Sequence, residues 1–288
     1  MSYRDELHRE LTAAGITGRQ SSRITDEIAD HLECNPKAEL GAPQLVARQF
    51  ADELGSARAR RAGFASFGAL ALAGVLFGVA FVTAPGHAFA SVPAAVSWPG
   101  RVGNWAAVIA PQVAFAAGLL ALLRALRRRG QRVIPAAETR LILRRATVGV
   151  FAGLASMIGL ALLAEELRPY LPGWWVTLAW VCAAVGALAL VASAPALLAA
   201  QRLPSLADGS AGDLFDDVGA WLPRSLDGRP WRFALVVAGA IFVLMTVAGV
   251  LGSDGPDGAV RGIADGLLCL LGFATLGRYL GLWSPVAD

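Results

Sequence analysis

Six apolar runs, each near twenty residues long, recur between Ala62 and Trp283, at about 62–83, 102–123, 146–164, 174–198, 231–251 and 263–283. A helix of that length crosses roughly 30 Å of hydrocarbon, so each run is expected to be a membrane span. Backbone amides in lipid must find partners within their own segment, which favours helices; a barrel would alternate polar and apolar residues in strands of about ten. The whole chain agrees with this, since 56% of its 288 residues are hydrophobic and its mean hydropathy is +0.54. A soluble domain has too little interior for that much apolar surface. The expected fold class is all-α: a small three-helix unit at 1–57, then a six-span bundle at 58–288. Trp98, Trp105, Trp174, Trp175, Trp231 and Trp283 fall at or near the ends of the runs, where an aromatic belt would put them.

Arginine orients the bundle. Arg58, Arg60 and Arg61 precede the first run, and the stretch RALRRRGQRVIPAAETRLILRR, Arg124 to Arg145, separates the second from the third. Arg202, Arg224, Arg229 and Arg232 border the connection between the fourth and fifth. With six spans, all of these fall on one side, and the other receives only Arg101, Arg168 and Arg261. Short arginine-rich loops stay cytoplasmic, so a multi-pass protein of the cell membrane with both termini inside is expected. The arginine stretch lacks interleaved aromatics for base stacking and lies tight between two spans, so no direct nucleic-acid binding is expected. Nor is a cleavable signal peptide, because the first apolar run follows a charged segment.

Residues 1–57 are soluble in character. Tyr3, Leu7, Leu11 and Ala14 share one helical face, Ile24, Ile28 and Leu32 another, and Leu45, Val46, Phe50 and Leu54 a third. Asn35-Pro36 ends the second helix, Pro43 opens the third, and Gly55 is expected to end it. Such a short unit forms a marginal core alone and is expected to lean on the membrane part or on a partner.

Chemistry-bearing clusters are sparse. His8, His31 and Cys34 fall short of the four ligands of structural zinc, and Cys182 and Cys269 sit inside apolar runs, so neither a metal nor a cofactor is expected. No run carries a charge at its centre, which argues against an ion-coupled relay, an intramembrane enzyme or any other catalytic role. Asp265 and Arg278 lie near opposite ends of the last run, and Glu165 and Glu166 at the outer end of the third. Gly74 with Gly78, Gly149 with Gly153 and Gly277 with Gly281 have the spacing that lets helices approach closely, within one chain or between copies in a homo-oligomer. In the connection at 201–230, GDLFDDVGAWLP puts Leu214, Phe215, Val218 and Trp221 on one face of an amphipathic helix near 213–222. Asp213, Asp216 and Asp217 lie elsewhere on it, so it is expected to dock on protein rather than on an anionic leaflet.

The segments YRDELHREL, RITDEIADHLEC and ELGAPQLVARQFADELG resemble the HAAS signalling domain, a DUF1700-like family. The resemblance rests on Asp30-His31-Leu32-Glu33 at the end of the second helix and Leu40-Gly41-Ala42-Pro43 at the entry to the third, and covers residues 2–57. The late stretch DGAVRGIADGLLCLLGFATLGRYLGLW looks like the last span of actinobacterial membrane proteins that carry this domain. The resemblance implies a cytoplasmic interaction module fused to membrane spans, with a PadR-type transcription regulator as its cytosolic partner and no catalytic residues. Asp5, Glu6, Asp26, Glu27, Asp30 and Glu33 are the candidate partner contacts, with Glu10 beside them. The alternative expectation is a permease-like transport protein or a transporter accessory subunit.

Overall fold

In the computed structural model, residues 2–35, 40–84, 97–211 and 230–251 are described, together with scattered positions between 260 and 275. Among these the chain is helical, without a strand. The helices are α1 (Tyr3–Ala13), α2 (Arg19–Cys34), α3 (Pro43–Val82), α4 (Trp98–Arg127), α5 (Ala136–Glu166), α6 (Gly173–Arg202) and α7 (Pro230–Leu251). Four of them, α3 to α6, are long and apolar enough to cross a membrane. The 22-residue α7 occupies the fifth apolar run. The sixth run falls largely outside the described residues, and the amphipathic segment near 213–222 wholly so, including Leu214, Phe215, Val218 and Trp221.

Local chemistry sets the small helical unit. α1 stops where Gly15 adopts φ +85°; the Gly15 amide donates to Thr12 O at 3.0 Å and the Ile16 amide to Leu11 O at 2.8 Å. Those two bonds satisfy the last carbonyls of the helix and return Ile16 onto Leu11. Leu7, Leu11, Ile16 and Ile24 then form a core with Ala47 and Ala51 of α3, with Tyr3, Ile28, Val46, Phe50 and Leu54 packed around it. Leu45, expected on the same face, is instead 68% exposed.

The third helix of this unit does not end at Gly55. α3 runs unbroken for 40 residues, so one helix supplies both a wall of the small core and the first apolar run. Gly55 serves close approach instead: a Cβ there would lie 2.6 Å from the Ser205 amide nitrogen and 2.8 Å from the Leu203 carbonyl oxygen. The helix passes residue 57 without interruption.

In the apolar part α4 packs most extensively on α5, and α3 on α6. Leu70 of α3 fits among glycines: Cβ atoms at Gly118, Gly149 and Gly153 would come within 2.5, 3.0 and 2.8 Å of its methyl groups. The Gly149 and Gly153 pair is thus used inside the chain, whereas no described residue comes within 4 Å of a Cβ at Gly74 or Gly78. Trp98 and Trp174 are well exposed, as a belt requires, but Trp175 is fully buried and its Nε1 donates to Ala80 O at 2.9 Å. It ties α6 to α3 rather than marking an interface, because a buried indole N–H needs an acceptor. Pro111 and Pro195 lie inside α4 and α6 without ending them.

A polar junction as the candidate functional site

The small helical unit, the α4–α5 connection and the segment after α6 meet at one end of the apolar bundle. Past Arg202 the chain leaves helix α6, and Leu203, 3% exposed, enters the core formed by Leu7, Leu11, Ile16, Ile24, Ala47 and Ala51. Gly15 makes room for it, since a Cβ there would sit 3.3 Å from Leu203 Cδ1. Two residues later Ser205 is also buried, and its hydroxyl donates to Ile134 O at 2.9 Å. The same hydroxyl lies 3.3 Å from the Asp52 carboxylate, which accepts the Leu206 amide at 2.6 Å. Asp52 itself is 8% exposed. A carboxylate so placed is tolerable because polar groups surround it; a buried charge without them would be costly.

The α4–α5 connection is held from the same helix. Ser56 accepts the Ile134 amide at 2.8 Å. The Arg60 guanidinium donates to Arg128 O at 3.0 Å and to Gln131 O. Ala136, opening α5, donates its amide to Ala207 O at 2.9 Å, and Gly209, at φ +150°, sits against the Pro135 ring. Successive turns of α3, through Asp52, Ser56 and Arg60, thus grip two chain segments remote in sequence.

Next to this lies a buried ionic cluster. Glu138 is fully buried and takes both arms of Arg128, Nε at 2.7 Å on Oε2 and Nη2 on Oε1. Arg124 Nη1 stands 3.8 Å from the same carboxylate, and Arg124 is itself 1% exposed. Arg145, with no exposed surface, donates to Leu120 O at 3.3 Å. Three members of the arginine stretch therefore have structural partners inside the protein.

The candidate partner contacts lie on α1 and α2. Asp5, Asp26, Glu27, Asp30 and Glu33 are exposed, and Glu6 is half-buried. Asp26 pairs with Arg4 at 2.6 Å, Glu27 with Arg23 at 2.8 Å, and Glu6 accepts from Gln44 at 3.3 Å. The Glu27 hydrogen bond raises the Arg23 pKa further above its ordinary value. Burial, and then the Glu6 charge, push the Tyr3 hydroxyl up, so it stays a protonated donor to Gly41 O at 3.3 Å. A shallow groove of 380 Å³ between α1 and α2 is lined by Arg4, Asp5, His8, Ser22, Thr25 and Asp26. His31 and Cys34 are exposed at the end of α2.

Sequence reasoning passed over Asp52, Ser56, Leu203 and Ser205. A signal did exist: Asp52, Ser56, Ala59 and Gly63 recur at helical spacing, a polar-to-small face on a helix that should otherwise have ended. Compared with family models, characterised proteins and solved structures, the chain matches none.

Proposed function

We propose that the chain is a six-span protein of the cell membrane, with both termini in the cytoplasm, whose N-terminal helical unit binds a cytosolic transcription regulator. The PadR type of that partner comes from the resemblance of residues 2–57 to HAAS domains. The bundle would act by shifting the balance between two exposures of the small unit, and so the fraction of partner held at the membrane. The observation that carries this reading is Leu203 in the core of the small unit. A residue one position beyond α6 packs among Leu7, Leu11 and Ile24, so a displacement of α6 must repack that core or extract Leu203 from it. The exposed acids of α1 and α2 suit a basic partner surface.

The test uses the full chain, tagged and gently solubilised from its native membranes, beside a variant with Asp30→Lys and Glu33→Lys on the exposed end of α2. Recovery of a DNA-binding regulator with the native chain and its loss with the variant supports the proposal. Recovery of an ATPase or another transporter subunit by both would move the permease-like reading to first place.

A further inference from the structure

Apart from the buried cluster, the arginine stretch presents a second set of side chains. Arg127 ends α4, Arg129 and Arg132 lie on the connection, and Arg140 lies in the second turn of α5; all four are exposed. Arg61 and Arg202 are exposed at the corresponding ends of α3 and α6. Among the described residues the nearby acids do not balance them. Glu138 is buried against Arg128, Asp52 is buried against Ser205 and Leu206, and Glu53 is half-buried beside Gln49. Asp208 is the one exposed acid among the described residues of the α4–α5 connection and the segment after α6.

Depth identifies what such a rim meets. The apolar run of α4 ends near residue 123 and that of α5 begins near 146. At 1.5 Å per residue, Arg127 stands about 6 Å and Arg140 about 9 Å beyond the hydrocarbon. That is the depth of the phospholipid headgroups. The connection is also fixed in place: Arg60 holds the carbonyls of Arg128 and Gln131, Ser56 holds the Ile134 amide, and Arg128 is clamped on Glu138. A ligand therefore meets a rim whose backbone is already ordered, which lowers the ordering cost of binding.

We propose that Arg127, Arg129, Arg132 and Arg140 form a binding surface for anionic phospholipid headgroups. The guanidinium fork suits a phosphate, donating two parallel N–H bonds to two of its oxygens. Each arginine near a charged membrane surface contributes about a fivefold gain in partitioning, so neutralising four should cost at least about tenfold after screening.

The experiment is lipid retention by the full chain, read by native mass spectrometry after transfer from phosphatidylcholine nanodiscs carrying a minor fraction of phosphatidylglycerol. The native chain should keep phosphatidylglycerol over phosphatidylcholine, and raising salt from about 0.1 M to about 1 M during transfer should weaken that preference. The variant Arg127→Gln, Arg129→Gln, Arg132→Gln and Arg140→Gln should lose at least about tenfold of it. Its melting point in pure phosphatidylcholine discs checks folding; if that falls, Arg129→Gln with Arg132→Gln, both on the connection, gives the same reading at half the charge. Neutralising Arg101 and Arg168, at the opposite ends of α4 and α5, should change nothing. Equal retention by the rim variant overturns the proposal, as does an equal loss on neutralising the opposite end. Unchanged lipid retention with loss of an acidic protein from the same membranes would assign the rim to a protein partner, and also overturns it.

Discussion

The Asp52 carboxylate accepts the Leu206 amide at 2.6 Å across 154 residues of chain, and so fixes the exit of α6 against the third helix. Ser205 and Leu203 follow from that placement, one hydrogen-bonded in the junction and the other sunk in the small core. The membrane part and the polar unit share side chains as well as a connecting helix.

Replacing Asp52 by Ala should free residues 203–207 and cost about 2 kcal/mol, the range for a buried hydrogen bond to a charged group. Hydrogen exchange at Leu206 and Ala207 should quicken while exchange in mid-α5 stays as it was. Uniform quickening throughout the bundle would mean that Asp52 supports the whole fold and does not specifically hold this segment.

Gly55 and Gly68, both inside α3, should respond to Ala with opposite signs. At Gly68 no described residue lies within 4 Å of the added methyl, so the gain in helix propensity stabilises by up to ~1 kcal/mol. At Gly55 the methyl meets backbone atoms of Leu203, Pro204 and Ser205, which cannot rotate away. Overpacking of about 1–3 kcal/mol should outweigh the propensity gain. Thermal melts of the two variants in one detergent decide it; a stabilised Gly55→Ala would show that the junction yields easily.

Glu138→Ala should be among the most damaging single changes in the polar half. It leaves Arg124 and Arg128 without their shared carboxylate, and breaking a buried pair on one side costs about 3–5 kcal/mol. Arg128→Ala should cost less, because Arg124 still faces Glu138 and the Arg128 side chain keeps 26% of its surface in solvent. Denaturant midpoints measured side by side should rank native, Arg128→Ala, Glu138→Ala. The reverse order would make Arg128 the group that holds the connection.

A reporter domain fused after Arg132 should be active in the cytoplasm, and one fused after Pro85 outside it. The opposite pattern would turn the small unit outward and remove any cytosolic partner from reach.

Much of this architecture was legible in the sequence, and the exceptions have a common cause. Apolar runs announce themselves because lipid demands length and composition, and α3 to α6 fall where those runs lie. The faces of Leu7 with Leu11 and of Ile24 with Ile28 were visible because a small amphipathic unit keeps strict helical period. Gly55 misled because a glycine that admits another backbone and one that stops a helix look alike until the neighbour is known. Leu203 stands in a stretch without period, between Arg202 and Pro204, and only its distant companions give it a role. Trp174 and Trp175 are adjacent and chemically identical, yet the helix turns one to the outside and the other onto Ala80. Arginine carries the same ambiguity. The same residue type is exposed at Arg129 and buried at Arg124 and Arg145, and only the partners, the Glu138 carboxylate for Arg124 and the Leu120 carbonyl for Arg145, tell them apart.

The unbroken α3 has a mechanical corollary. At 1.5 Å per residue its 40 residues make a rod of about 60 Å, roughly half of it outside the apolar run. Membrane helices accommodate excess length by tilting, and on average lie about 20° from the bilayer normal. A tilt of that size about the start of the polar half displaces the Pro43 end by about 10 Å, and the segments held by Asp52, Ser56 and Arg60 must move with it or let go. The wall that Ala47 and Ala51 give to the small core is thus carried on the same rod as the first apolar run, and neither can tilt without the other.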